Sequence, residues 1–172
     1  MRWCLAALIG SFFFASVIRV GAGFPQNDWQ VYSDKTFRVT LRFPKEWKQV
    51  RGDGSVRFEG RDGFVYLTAE EGDTPESACR GSAKHHLQPY GSRPVIRSMR
   101  IQGRKACLVW PSSDQGAPWI AELDVAYPRP VEIDGDRWGL FLLYADKDHI
   151  LQIIRTLRFL SSNPRGGAET PR

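Results

Sequence analysis

Between residues 37 and 43 apolar and polar side chains alternate without a break. Phe37, Val39, Leu41 and Phe43 share one side, and Arg38, Thr40 and Arg42 share the other. A period of two predicts a strand with one buried and one wet face. Pro44 ends it, since proline donates nothing to a ladder, and Trp47 is placed over one end of the core. Residues 55–59 and 64–69 predict two further strands, joined by Gly60-Arg61-Asp62-Gly63, a short hairpin loop whose glycines suit positive φ. Residues 95–101 and 105–110 predict another pair, turned at Gln102-Gly103. From 119 to 127 Trp119, Ala121, Leu123, Val125 and Tyr127 lie on one side, with Glu122 and Asp124 on the other. Residues 138–145 are apolar on both sides, the signature of a central strand covered above and below.

Two segments carry a helical pattern. Over 74–88, Thr74 is a suitable N-cap, Pro75 fits the first helical position and Glu76 complements the helix dipole. Its apolar side is Cys79, Ala83, His86 and Leu87, Gly81 weakens it, and Pro89 closes it. The second helix is capped by Asp146 or Asp148, with Ile150, Ile153, Ile154 and Leu157 as its stripe and Phe159 extending the packing. Strands, a helix, four strands and a helix with hairpin-length connections make an α+β fold with a largely antiparallel sheet.

The chain resembles the PsbP-like fold family over roughly residues 28–160. The resemblance is carried by the alternating strand entering Phe43-Pro44-x-x-Trp47, the mid-chain helix, the turn Ile101-x-Gly103-x-x-Ala106, the two-sided strand, and the closing Ile154-x-x-Leu157-x-Phe159. It implies an α/β/α sandwich, a sheet flanked by helices on both faces. It also implies no enzyme, because members of that family act mostly as binding or assembly factors.

The N-terminus has a different character. Met1-Arg2 precedes an almost wholly apolar run from Trp3 to Ile18, followed by Gly21-Ala22-Gly23. Charged start, apolar middle and small-residue end make residues 1–23 a signal peptide by pattern, and the run is short of the roughly 20 residues of a spanning helix. An uncleaved anchor is the rival reading. Residues 27–160 are then one domain, and residues 161–172, rich in Gly, Pro and polar residues, a disordered tail. Hydrophobic residues at 42% and charged residues at 25% describe an ordinary globular chain.

Export changes the reading of the cysteines and of the charge. Loss of residues 1–23 removes Cys4 and leaves Cys79 and Cys107, an even count that reads as a disulfide in a secreted or periplasmic protein. Cys107 faces the layer that holds the helix of Cys79, so the pair reads as a helix-to-sheet staple. The competing reading is two separate buried thiols. The net charge of +5 falls to +3 with Arg2 and Arg19 gone, and no long Lys/Arg run remains, which weighs against nucleic acid.

Catalytic and metal-binding constellations do not emerge. His85 and His86 are adjacent, so on a helix they diverge by about 100°, and His149 is remote in sequence. There is no Cys-x-x-Cys or His-x-x-x-His spacing, no Gly-x-Ser-x-Gly and no phosphate loop, so no metal, cofactor or nucleophile is assigned. Arg38, Arg42 and Arg57, with Lys45, Lys48 and Arg51 beyond them, form a basic patch if their strands pair, suited to an anionic envelope component. The opposing reading is a wet sheet face whose arginines pair with Glu59, Glu122 or Asp124. Trp29, Trp119 and Trp138 flank loops or strand starts, where an exposed pair stacks on a sugar or peptide. The reading is an exported, non-catalytic binding or assembly module of unspecified ligand. The alternatives are a basic-patch module and an enzyme with an unrecognised site.

Overall fold

The computed structural model describes residues 28–160, apart from 53, 54 and 73. The expected signal peptide and tail lie outside the described residues. The chain opens with β1 (Trp29–Asp34), β2 (Val39–Pro44), β3 (Lys48–Gly52), β4 (Ser55–Glu59) and β5 (Phe64–Glu70). Helix α1 (Pro75–Ala83) separates these from β6 (Val95–Ile101), β7 (Arg104–Trp110), β8 (Ile120–Ile133) and β9 (Asp136–Asp146). Helix α2 (Ile150–Thr156) and β10 (Arg158–Phe159) close the fold. One sheet has seven strands in the order β3-β4-β5-β9-β8-β7-β6, and the other has three, β1-β2-β10. Every pairing is antiparallel.

The alternation of β2 buries Val39, Leu41 and Phe43, with Phe37 before them, against the inner face of the seven-stranded sheet. That face contributes Val65 and Leu67 from β5, Leu108 from β7, Leu123 and Val125 from β8, and Phe141, Leu143 and Ala145 from β9. Helix α2 adds Ile150, Ile153, Ile154 and Leu157 to the same core. A second, smaller cluster of Cys79, Tyr90, Cys107 and Val109 lies on the outer face, beneath α1. Cys79 and Cys107 are joined as a disulfide.

The resemblance implied helices flanking both faces. Among the described residues there are two short helices, of nine and seven residues, and the inner face is covered as much by a three-stranded sheet as by a helix. Nor does α1 reach residue 88. It stops at Ala83, where Lys84 N–H donates to the carbonyls of Arg80 and Gly81 and His85 N–H to that of Ser82. Beyond it Leu87 N–H donates to His85 Nδ1, Gln88 takes φ +48, and Leu87 is 73% exposed, not part of the apolar side. This local side-chain bond competes with helix continuation.

Strands β1 and β3 give no alternation to read. Each is an edge strand; Val31 on β1 is 67% exposed, and Lys48-Gln49-Val50 of β3 is exposed throughout. Strand β8 runs six residues past Tyr127, through Pro128 and Pro130, because its pairing with β9 shifts register between Ala126 and Val131. A bulge is where a paired strand tolerates proline. The β8–β9 turn uses Asp134 (φ +54) and Gly135 (φ +90), as Gln102 and Gly103 (φ +48 and +78) do between β6 and β7.

The disulfide joins positions 28 apart. Replacing both cysteines with serine is expected to lower stability in urea unfolding by roughly 3–4 kcal/mol, from loop-closure entropy. A loss below about 1 kcal/mol would show that α1 is held by its other contacts.

A groove along the β4–β5 hairpin

The structure redistributes the residues singled out by sequence. Arg38 stands in the turn before β2 at φ +53, Arg42 lies on β2, and Arg57 lies on β4. Strand β2 pairs with β1 and β10, and β4 pairs with β3 and β5, so strand pairing does not bring Arg57 to the other two. Arg57 bonds Glu59 at 2.7 Å and covers the Phe64 ring at 4.7 Å, and Arg42 Nη2 donates to the Trp29 carbonyl. Trp29 is buried and Trp138 half-buried, leaving Trp119, 44% exposed, as the accessible indole of the three. Glu122 and Asp124, expected on a wet face, are buried beneath α1.

On the outer face one row of cross-strand neighbours runs Arg57, Tyr66, Tyr144, Glu122 and Val109. Helix α1 packs on β6, β7 and β8, so it covers one end of this row and leaves Tyr66 and Tyr144, with ring centroids 5.7 Å apart, partly open. A hollow of about 230 Å³ lies over Arg57, Phe64, Tyr66, Ile120 and Tyr144. It continues into one of about 390 Å³, lined also by Arg61, Asp62, Pro118, Trp119, Lys147 and Asp148. A third, of about 560 Å³, carries the groove past the hairpin to Glu46 and Lys48.

Gly60 and Gly63 shape the rim, for a reason other than positive φ. Neither glycine has it. A Cβ on Gly60 would stand 2.4 Å from Trp47 Cδ1, and one on Gly63 would stand 2.2 Å from an Asp146 oxygen and 2.8 Å from His149 Nδ1. The hairpin needs glycine because the side chains of Trp47, Asp146 and His149 pass against its backbone.

His149, at the start of α2, anchors the groove from below. Its Nδ1 lies 2.7 Å from Asp146 Oδ1, its Nε2 lies 3.7 Å from Asp62 Oδ2, and Trp47 packs on it edge-on. Asp146, expected as a candidate helix cap, accepts the backbone N–H of Phe64 on one oxygen and those of Asp148 and His149 on the other. Trp47 Nε1 donates to Asp62 at 2.8 Å. The hydrogen bond to Asp146 is the main cause of a proton affinity for His149 raised above the ordinary imidazole value; burial opposes it, and the charges of Asp146, Asp62 and Asp148 reinforce it.

The carboxylates of the groove are therefore largely engaged: Asp146 and Asp62 by His149, Glu59 by Arg57. Glu46 and Asp148 have no cation partner among the described residues. Among the described residues Arg61 and Lys147 have no carboxylate partner, and Lys147 Nζ stands 4.4 Å over the Trp119 ring. No group of three or more His, Cys, Asp or Glu is arranged among the described residues to hold a metal ion.

Beneath α1, Glu122 accepts Ser82 Oγ–H at 2.8 Å on one oxygen and the Tyr90 hydroxyl on the other. Asp124, two positions along the same face, has no donor for either oxygen among the described residues. Its neighbour Glu122 on that face is close enough for the two charges to act on each other. Two facing carboxylates in a dry site are satisfied only when one carries a proton. Burial, and after it the charge of Glu122, pushes Asp124 up to about 9, and burial raises Glu122 as well.

A solution structure of cyanobacterial PsbP (CyanoP) from Synechocystis sp. PCC 6803 is similar to this chain, with a TM-score of 0.51 over 81% of this chain and 95% of that one, at 13% identity. The fold is PsbP-like. The likeness at that identity is one of fold alone. No family model and no curated protein matches the chain. No helix of the described residues is long and apolar enough to cross a membrane.

The groove residues Arg61, Asp62 and Lys147 carry no sequence signal of their own. The two glycines of Gly60-x-x-Gly63 and the cluster Asp146-x-Asp148-His149 were the visible marks, and each reads locally as a turn or a cap.

Two pH responses follow from these sites. A histidine with raised proton affinity contributes stability that is complete below 6.5 and is lost as pH rises through its folded value. His149→Gln is therefore expected to cost about 1–3 kcal/mol at pH 5.5 and less at pH 9 in denaturant titrations; an equal cost at both would mean the imidazole charge contributes nothing. Asp124 acts through the same sign, since its folded value also lies above the unfolded one: its contribution is complete below 3.8 and is lost toward 9. Asp124→Asn, which keeps a donor toward Glu122, is expected to raise the melting temperature above pH 7 and to flatten its fall, as calorimetry would show.

Proposed function

We propose that this protein is an exported, non-catalytic binding module whose groove takes an acidic, extended polypeptide segment of a partner. The observation that carries the reading is the placement of Arg61 and Lys147 beside the open aromatic floor, where neither has a carboxylate partner among the described residues, while Asp146, Asp62 and Glu59 are held by His149, Arg57 and backbone amides. Uncommitted cations beside an open aromatic floor attract carboxylates by charge complementarity, and Tyr and Trp supply contact area at low entropic cost. The groove's length, from Glu46 past the hairpin to Tyr144, suits an extended segment.

The PsbP-like fold supports an accessory module rather than an enzyme. The nearest imidazole supports the same reading: His149 is buried, engaged by Asp146 and Asp62 and backed by Trp47, which suits a strut better than a proton-transfer group. The apolar leader pattern and the Cys79–Cys107 bridge support a secreted or periplasmic location.

The copolymer poly(Glu,Tyr) is the probe, measured against poly(Lys,Tyr) on the immobilised protein. Poly(Glu,Tyr) is expected to bind and to weaken with salt. Arg61→Glu with Lys147→Glu is expected to weaken it by about tenfold or more, at up to about 1 kcal/mol per exposed charge contact. Equal binding of the two polymers, or no change in the double variant, would overturn the reading.

A further inference from the structure

The wall of the groove and the buried acid pair are joined by one chain of hydrogen bonds. It begins at Glu122, which holds the Tyr90 hydroxyl. Tyr90 belongs to the segment that follows α1, and its carbonyl accepts Ser112 N–H at 3.0 Å. The neighbouring Pro89 carbonyl accepts Gln115 Nε2. Gln115 is a polar side chain only 7% exposed, and all its capacity is directed: Nε2 also donates to the Ile120 carbonyl at 3.1 Å and Oε1 accepts Ile120 N–H at 3.0 Å. Its own carbonyl accepts the Trp119 indole N–H at 2.6 Å. Trp119 thus takes its place from Gln115, and Gln115 from the segment that Tyr90 ties to the acid pair.

We propose that the protonation state of the buried pair Glu122 and Asp124 sets the position of Trp119, and hence the width of the groove, through Tyr90 and Gln115. While one carboxyl of the pair is protonated, the site needs no water and the α1–Tyr90 cover stays down. When both ionise, two charges share a dry site with Ser82 and Tyr90 as the side-chain donors among the described residues. Repulsion and desolvation are relieved by admitting water, and the part of the cover free to lift is the Tyr90 end, because the disulfide pins α1 at Cys79. Lifting Tyr90 draws Pro89 from Gln115 and frees the indole. The raised proton affinity of Asp124 places the change above neutral pH. The other titratable groups facing the pair are Tyr144 from β9 and Glu70 from the end of β5. Tyr90 and Tyr144 are themselves held protonated far above that range by burial. At the indole the facing group is Lys147.

The consequence for ligand binding rests on the groove reading; the coupling itself does not. The test labels the full-length protein with 5-fluorotryptophan and follows the Trp119 fluorine resonance, assigned by Trp119→Phe, from pH 6 to 10. A Lys147→Arg background keeps a charge over the ring that does not titrate. The resonance is expected to shift with a midpoint near 9. The shift is expected to vanish in Asp124→Asn, and in Gln115→Ala, where the acid pair still titrates but its link to the indole is cut. A resonance that does not respond to pH, or a midpoint that survives Asp124→Asn, overturns the proposal; so does a midpoint that survives Gln115→Ala. Poly(Glu,Tyr) affinity measured alongside separates the two readings. If the resonance behaves as expected but the polymer does not bind, the ligand assignment fails and the coupling stands. If both hold, affinity is expected to fall severalfold across the same midpoint in the parent and to fall less in Asp124→Asn.

Discussion

A strand that is apolar on both faces has to be covered twice, and β9 is that strand. Phe141, Leu143 and Ala145 on one side and Leu140 and Leu142 on the other are all buried. The two covers are unequal. The inner face receives a three-stranded sheet and α2, which together form the main core. The outer face receives one nine-residue helix lying over β6, β7 and β8. A cover that small leaves the row from Arg57 to Tyr144 partly open, and the groove floor is that remainder. The groove follows from incomplete coverage rather than from any element added to form it.

The edges of the groove are stiffened by polar groups that the core excludes. Asp146 gathers three backbone amides and the His149 ring, and so ties the β4–β5 hairpin to the start of α2. Gly60 and Gly63 let those side chains approach the hairpin backbone. Asp146, used in this way, is 13% exposed and adds little to the surface field.

Beneath α1 the balance differs. The apolar cluster there is small, and the helix is held chiefly by the disulfide, by Ser82 on Glu122, and by Tyr90 in the segment that follows. Two buried carboxyls are a costly foundation for a helix. They make its attachment depend on a proton, while the disulfide keeps the helix from leaving altogether. The described residues therefore combine a firmly packed inner layer with an outer layer held by few, switchable contacts.

Local sequence determined the strands with a clean period, the two-sided centre of the sheet, the caps at Thr74 and Pro75, the stripe of α2 and the facing of Cys79 and Cys107. In each case the side chains themselves repeat with the geometry of the element. The edge strands β1 and β3 gave no such repeat, because an edge strand has little to bury. The continuation of β8 was hidden by Pro128 and Pro130, which only its register shift against β9 accommodates. Arg38, Arg42 and Arg57 looked like neighbours because they are close in sequence; the division into two sheets separated them. Glu122 and Asp124 looked like wet-face acids because alternation reports only that a side is polar, and a separate helix then settled over that side. The groove, the role of His149 and the path from Tyr90 to Trp119 join residues as far apart as Trp47 and His149. Proximity of that kind is decided by tertiary packing, and no local pattern encodes it.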